Sequence, residues 1–260
     1  MIRWESRQDR IGFNGVAKKY VEKTRERFGK VYLLDIGFGN GDHFIEYSGG
    51  AELPIGIDPS AGEFYGGNIE AAKHNLKEAN REDVILIKAA AEEMPFREGG
   101  FNLVANRYST QNPRALKEIA RVLRKNGYYV KSGRALYDEA LKALAKAFPD
   151  VANEEQRGRI GARFLRPSRR DGSLESYMNE VKGAGFNVFE RECREVSFDE
   201  EGFQGEEGVI NFLKKPHILG EGFDSEKDGA FIEIVKGALR YENGLYIGTG
   251  IEALVVAEKI

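Results

Sequence analysis

Residues 31–41 read Val-Tyr-Leu-Leu-Asp-Ile-Gly-Phe-Gly-Asn-Gly: an apolar run climbs into Asp35 and then breaks into glycines at 37, 39 and 41. The apolar run has the length and content of a strand buried on both faces, as in a parallel sheet. Glycine at every second position lets the backbone turn sharply and leaves no Cβ between it and a ligand. The residues that follow, 42–47, can open a helix. Strand, glycine loop and helix together make a nucleotide-binding corner at the carboxyl end of a sheet.

Around this corner the chain alternates. Residues 14–28 predict an amphipathic helix closed by Gly29, residues 53–58 a second strand ending in Asp58, and 69–79 a polar helix. Residues 84–88 and 101–106 predict two more strands, 113–123 a helix, and 128–131 a fifth strand. Such alternation implies βαβ units and a parallel sheet. Beyond Ser132 the reading is looser: helices over 135–148, 174–184, 203–213 and 230–239, and strands over 187–198 and 245–256.

Composition bounds the function. The chain has 260 residues, a net charge of −3, three histidines and the single Cys193. That charge offers no overall attraction to nucleic acid or an anionic membrane. One cysteine excludes an internal disulfide framework and a cysteine zinc cluster, and His43, His74 and His217 are too scattered for a metal site. No hydrophobic leader or membrane span is indicated, so the expectation is a cytoplasmic protein without a metal.

Asp58 lies 17 residues past Gly41, at the end of the second strand. An acid there can accept hydrogen bonds from both vicinal hydroxyls of a ribose, although Asp before Pro59 also suits a plain turn. The dinucleotide fingerprint is Gly-x-Gly-x-x-Gly; here the third glycine falls one residue early, and Asp35 stands two places before the first.

Asp-x-Gly-x-Gly-x-Gly resembles motif I of the class I S-adenosylmethionine (SAM) dependent methyltransferases. Four further landmarks resemble the ubiquinone-biosynthesis-like branch of that family: Ala91-Glu92-Glu93-Met94-Pro95-Phe96, Phe101-Asn102-Leu103-Val104, residues 118–127 (Glu-Ile-Ala-Arg-Val-Leu-Arg-Lys-Asn-Gly) and Ala184-Gly185-Phe186. The resemblance covers 31–130 well and 174–258 loosely. Two positions depart from it: the family's adenine-binding acid aligns with Ala90, and Asn102 replaces an Asp.

The resemblance implies an α/β fold, a Rossmann-like doubly wound seven-stranded mostly parallel sheet with helical cap insertions. It implies one methyltransferase domain, with core about 25–134 and 172–260 and a cap at about 135–171, to which 200–240 also contributes. SAM is the implied cofactor and S-adenosylhomocysteine the product. The expected cofactor-binding residues are Asp35, Gly37, Phe38, Gly39, Gly41, Asp58, Pro59, Ala91, Glu92, Met94 and Asn106. With Ala90 in place of the acid, the adenine edge falls to backbone groups near 90–91 or to Glu92. Arg107 and Tyr108 are expected to position the methyl acceptor.

Arg157, Arg159, Arg163, Arg166, Arg169 and Arg170 fall within fourteen residues that contain no acid. Arg163, Arg166 and Arg169 are candidates for holding an anionic substrate, against the plainer reading of a solvated stretch paired with surface acids. The favoured partner is a small-molecule, anionic acceptor. The alternatives are an RNA methyltransferase using this stretch, a SAM-binding protein without catalysis, and a nicotinamide dehydrogenase, the last disfavoured by the glycine spacing.

Overall fold

The computed structural model describes residues 12–59, 69–107, 109, 113–134, 143–144, 146–148, 150, 152–154, 174–197, 203–214, 219, 223–247 and 249–260. By backbone packing the chain divides into two compact units, the first being 1–133, 178–193 and 253–260, the second 134–177 and 194–252.

The first unit starts with α1 (Phe13–Phe28), whose buried positions Phe13, Ala17, Tyr20, Val21 and Thr24 recur at helical spacing. Gly29 ends it in the left-handed region (φ 75°), donating its N–H to the Arg25 carbonyl at 2.7 Å. Then come β1 (Tyr32–Ile36), α2 (Asp42–Ser48), β2 (Leu53–Asp58), α3 (Ile69–Glu78), β3 (Ile85–Lys88), β4 (Phe101–Arg107), α4 (Pro113–Val122) and β5 (Leu123–Arg134). The later elements α5 (Leu174–Gly183), β6 (Phe186–Ser197) and β10 (Thr249–Lys259) complete the sheet, whose strand order is β3-β2-β1-β4-β5-β10-β6. β1 is parallel to both β2 and β4, and β2–β3 and β4–β5 are parallel too. The order reverses between β1 and β4, and in open α/β sheets that switch point is where ligands bind.

One face of β1, β4 and β5 (Leu33, Leu103, Ala105, Tyr128, Val130) packs under Phe13, Ala17, Tyr20, Phe44 and Tyr47. Tyr20 meets Tyr128 edge-on at 5.0 Å between ring centroids. These aromatics anchor the glycine corner in the core.

β5 starts five residues earlier than the sequence predicts. α4 passes straight into it, and Asn126 (φ 62°) and Gly127 take up a register shift opposite residues 101–103. A Cβ on Gly127 would stand 2.8–3.0 Å from Leu123 Cδ1, the Arg124 carbonyl and the Asn102 carbonyl. The Asn126-Gly127 pair, whose local chemistry also suits a helix stop, is therefore a bulge.

The second unit has its own core, including Leu144, Phe148, Val209, Phe212, Phe231 and Val235, with Phe148 and Phe231 stacked at 5.5 Å. Its elements are β7 (Phe203–Gln204), α6 (Gly205–Leu213), α7 (Gly229–Ala238), β8 (Arg240–Glu242) and β9 (Leu245–Ile247). The predicted strand over 245–256 is two strands in two different sheets: β9 lies in a small sheet of order β7-β9-β8, and β10 lies in the large one. The predicted helix over 203–213 likewise yields its first two residues to β7. Asn243 (φ 51°) and Gly244 (φ 83°) form the two-residue turn of the β8–β9 hairpin. β8 escaped notice because Arg240, Tyr241 and Glu242 are all exposed and carry no alternation. Among the described residues no helix is long and apolar enough to cross a membrane.

Candidate active site

All three glycines of the corner have positive φ: 80° at Gly37, 57° at Gly39 and 85° at Gly41. The Gly37 N–H donates to the Ile57 carbonyl at 2.8 Å, and the Gly41 N–H donates to the Phe38 carbonyl at 2.8 Å. Gly37 has no room for a side chain, because a Cβ there would lie 2.4 Å from the Ser109 Cβ. Among the described residues a Cβ on Gly39 would meet nothing within 4 Å, so they leave the bend open there. The Phe38 ring packs against Gly56, leaving its backbone to line the bend.

Asp58 is joined to the same bend. Its Oδ2 accepts the Gly39 N–H at 3.0 Å. The acid expected to grip a ribose and the glycine expected to border the cofactor thus form one wall. Pro59 follows it, exposed.

Asp35 is buried beneath this wall, and its Oδ1 accepts the Tyr47 hydroxyl at 2.5 Å. Burial is the largest influence on its carboxyl and pushes it up to about 7. The Tyr47 bond and the Arg107 charge oppose the rise, and Asp58 adds to it. The folded chain therefore holds this proton to higher pH than the unfolded chain does. The resulting contribution is present below the ordinary value of 3.8 and is lost as pH rises through about 7. Asp35→Asn is expected to remove that slope, gaining up to roughly 4 kcal/mol over the wild type at pH 8 and little at pH 4. Urea unfolding of both proteins from pH 4 to 8 checks this; parallel curves would contradict it.

Side chains alternate along a strand. Asp35, Ala105 and Arg107 therefore share one face, and Ile36, Asn106 and Lys131 the other. Arg107 is buried beside Ser132 in register, and the Ser132 hydroxyl is buried with no hydrogen-bond partner among the described residues. An orphaned hydroxyl at the carboxyl end of β5 is the kind of group that a bound molecule or water satisfies. On the other face, Asn106 is fully buried, and its Oδ1 accepts both Ser109 Oγ (2.6 Å) and Lys131 Nζ (2.8 Å). This amide braces Ser109 against Gly37. Lys131 escaped the sequence reading because one lysine at a strand end looks like surface; only the pairing with β4 buries it.

After β3 the chain loops through Ala91 and Met94, both buried, with Glu92 exposed between them. The Ala89 N–H donates to the Asp58 carbonyl at 3.2 Å, so the loop leaves from the same strand end as Asp58. The structure thus gathers Asp35, the three glycines, Phe38, Asp58 and Asn106 on adjoining strand ends. His43 lies beside the bend, 3.1 Å from the Asn14 side chain. Tyr108, His217, Arg163, Arg166 and Arg169, with the rest of 155–173, lie outside the described residues. Among those that are described, no group of three or more His, Cys, Asp and Glu could hold a metal ion.

The methyltransferase domain family matches residues 34–130, which run from β1 through the bend, Asp58 and the loop into β5. The methyltransferase match spans the glycine wall and the switch point together. The uncharacterized methyltransferase YcgJ of Bacillus subtilis strain 168 is 27% identical over 128 residues, covering 48% of this chain and 49% of that protein. The demethylmenaquinone methyltransferase of Lactococcus lactis subsp. lactis strain IL1403 is 32% identical over 118 residues, covering 42% and 45%. The chain thus spans about half the length of the curated relatives it matches. In fold, the crystal structure of YcgJ superposes with a TM-score of 0.60 at 18% identity, over 94% of this chain and 98% of YcgJ.

Proposed function

We propose that the protein transfers a methyl group from SAM to a small-molecule, anionic acceptor. The observation that carries the cofactor half is the joint wall of Asp58 and Gly39, with an open bend at the switch point. Asp58 holds the ribose, the backbone of 37–41 borders the methionine part, Asp35 serves its amino group, and Ala91, Glu92 and Met94 flank the adenine. Bound SAM supplies an electrophilic methyl on a sulfonium with a neutral leaving group. The chain's task is then to fix the acceptor in line and exclude water, and such positioning can supply roughly 7–11 kcal/mol of a barrier.

Arg107 favours an anionic acceptor: a buried guanidinium at the end of β4 suits a carboxylate or phosphate. Tyr108, next in sequence, and Arg163, Arg166 and Arg169 are read as acceptor-facing too. The Lactococcus relative is named for demethylmenaquinone, itself a small molecule. A single domain with core about 25–134 and 172–260 and a cap at about 135–171 belongs to the same proposal. Calorimetry is expected to detect SAM and S-adenosylhomocysteine but not NADH. Labelled methyl is expected to pass to extracted small metabolites. Transfer to bulk RNA instead, with a steep salt dependence of binding, would move the acceptor to the RNA alternative.

A further inference from the structure

The loop after β3 is not held by a sheet or helix of its own. It is held by two side chains of α4. Glu118 Oε2 accepts the Met94 N–H at 3.0 Å. Arg121 Nη2 donates to the Met94 carbonyl at 3.0 Å, and Nη1 donates to the Phe96 carbonyl at 2.7 Å. The two side chains are locked to each other by a bidentate pair, Nε to Oε1 at 2.7 Å and Nη2 to Oε2 at 2.8 Å. Both main-chain groups of Met94 are therefore satisfied by side chains three residues apart on one helix face. Farther along, the Gly99 N–H donates to the Arg121 carbonyl at 2.9 Å.

A half-exposed ion pair alone is worth little, because solvent screens it. This one also fixes peptide orientation, and that matters for a specific reason. Ala90 stands where related methyltransferases carry the acid that reads the adenine amino group, and an alanine side chain can accept no hydrogen bond. Recognition of the base edge then falls to Glu92 or to main-chain groups of the loop, and the direction of both is set by whatever anchors the loop. One anchor is the Asp58 carbonyl at Ala89; the other is the Glu118–Arg121 pair at Met94.

We propose that Glu118 and Arg121 are positioning residues for base recognition, orienting the main chain of 90–94 so that it discriminates a 6-amino purine from a 6-oxo purine. This rests on the reading of 91–94 as the adenine wall. The test is calorimetry on the full chain with S-adenosylhomocysteine and with S-inosylhomocysteine, its 6-oxo counterpart. The wild type is expected to prefer the adenosyl compound. Arg121→Met keeps the packing stem but loses three main-chain or partner donors. It is expected to bind the adenosyl compound about ten-fold more weakly, with most of the preference erased, the scale of one lost hydrogen bond of this kind. Glu118→Gln can still accept the Met94 N–H and is expected to retain most of the preference, including where Arg121→Met fails to fold.

A clamp with a merely structural role would weaken both ligands equally and leave their ratio unchanged; that result overturns the proposal. So does a Glu118→Ala protein that melts as a folded chain and keeps the wild-type ratio. A wild type that binds neither compound removes the underlying cofactor reading, a result distinct from an unchanged ratio in a chain that binds.

Discussion

Gly37→Ala is expected to destabilise the fold by roughly 2–5 kcal/mol, a large share of the total stability of an ordinary domain. Two costs add. The residue sits at φ 80°, where a Cβ costs about 1–2 kcal/mol. The new methyl would also stand 2.4 Å from the Ser109 Cβ, an overlap of the kind that costs about 1–3 kcal/mol in packed interiors. Ser109 cannot step aside cheaply, since its hydroxyl is bound to Asn106 and Asn106 is bound to Lys131. Ser109→Gly in the Gly37→Ala background should return the steric part and leave the dihedral part. Urea unfolding of the four proteins separates the two. A Gly37→Ala midpoint equal to wild type would mean that the bend is not packed on Ser109 at all.

The second large effect is on ligand binding. Asp58→Ala is expected to weaken SAM by roughly 1.5–3 kcal/mol, the range for hydrogen bonds to a charged group. It also strips the Gly39 N–H of its acceptor, so stability should fall by about 1 kcal/mol. Asp58→Asn splits these effects: an amide oxygen can still accept the Gly39 N–H, but the group is neutral and half of it is a donor. Asparagine should therefore restore stability while leaving binding weak. Calorimetry and melting on the same preparations read both quantities. Unchanged SAM affinity in the alanine protein would take Asp58 out of the site.

These predictions trace back to features of unequal visibility. The bend was readable because its chemistry is local. Alternating glycines after an apolar run permit positive φ at each position, and the acid before them carries the resemblance. The ends of α1 and β2 were readable for the same reason: a Gly29 cap and an apolar run ending in Asp58 are written in adjacent residues. Where the reading slipped, two local meanings competed. Asn126-Gly127 fits a helix stop and a bulge equally well, and only pairing with β4 chose the bulge. Residues 245–256 look like one apolar strand, and only the hairpin with 240–242 divided them.

The amino-acid order alone determined the alternation of strands and helices and the glycine corner, because each rests on backbone preference and hydrophobic period over a few neighbouring residues; the resemblance to methyltransferases rests on the motifs those residues spell. Tertiary structure alone decided that Asp58 caps Gly39, that Lys131 and Asn106 brace Ser109 into the space above Gly37, that Asp35 is buried enough to hold a proton near neutrality, and that Glu118 and Arg121 grip Met94. Each of these joins residues from different elements. A hydrogen bond between them forms only where folding brings donor and acceptor within about 3 Å, a condition that one-dimensional spacing does not encode.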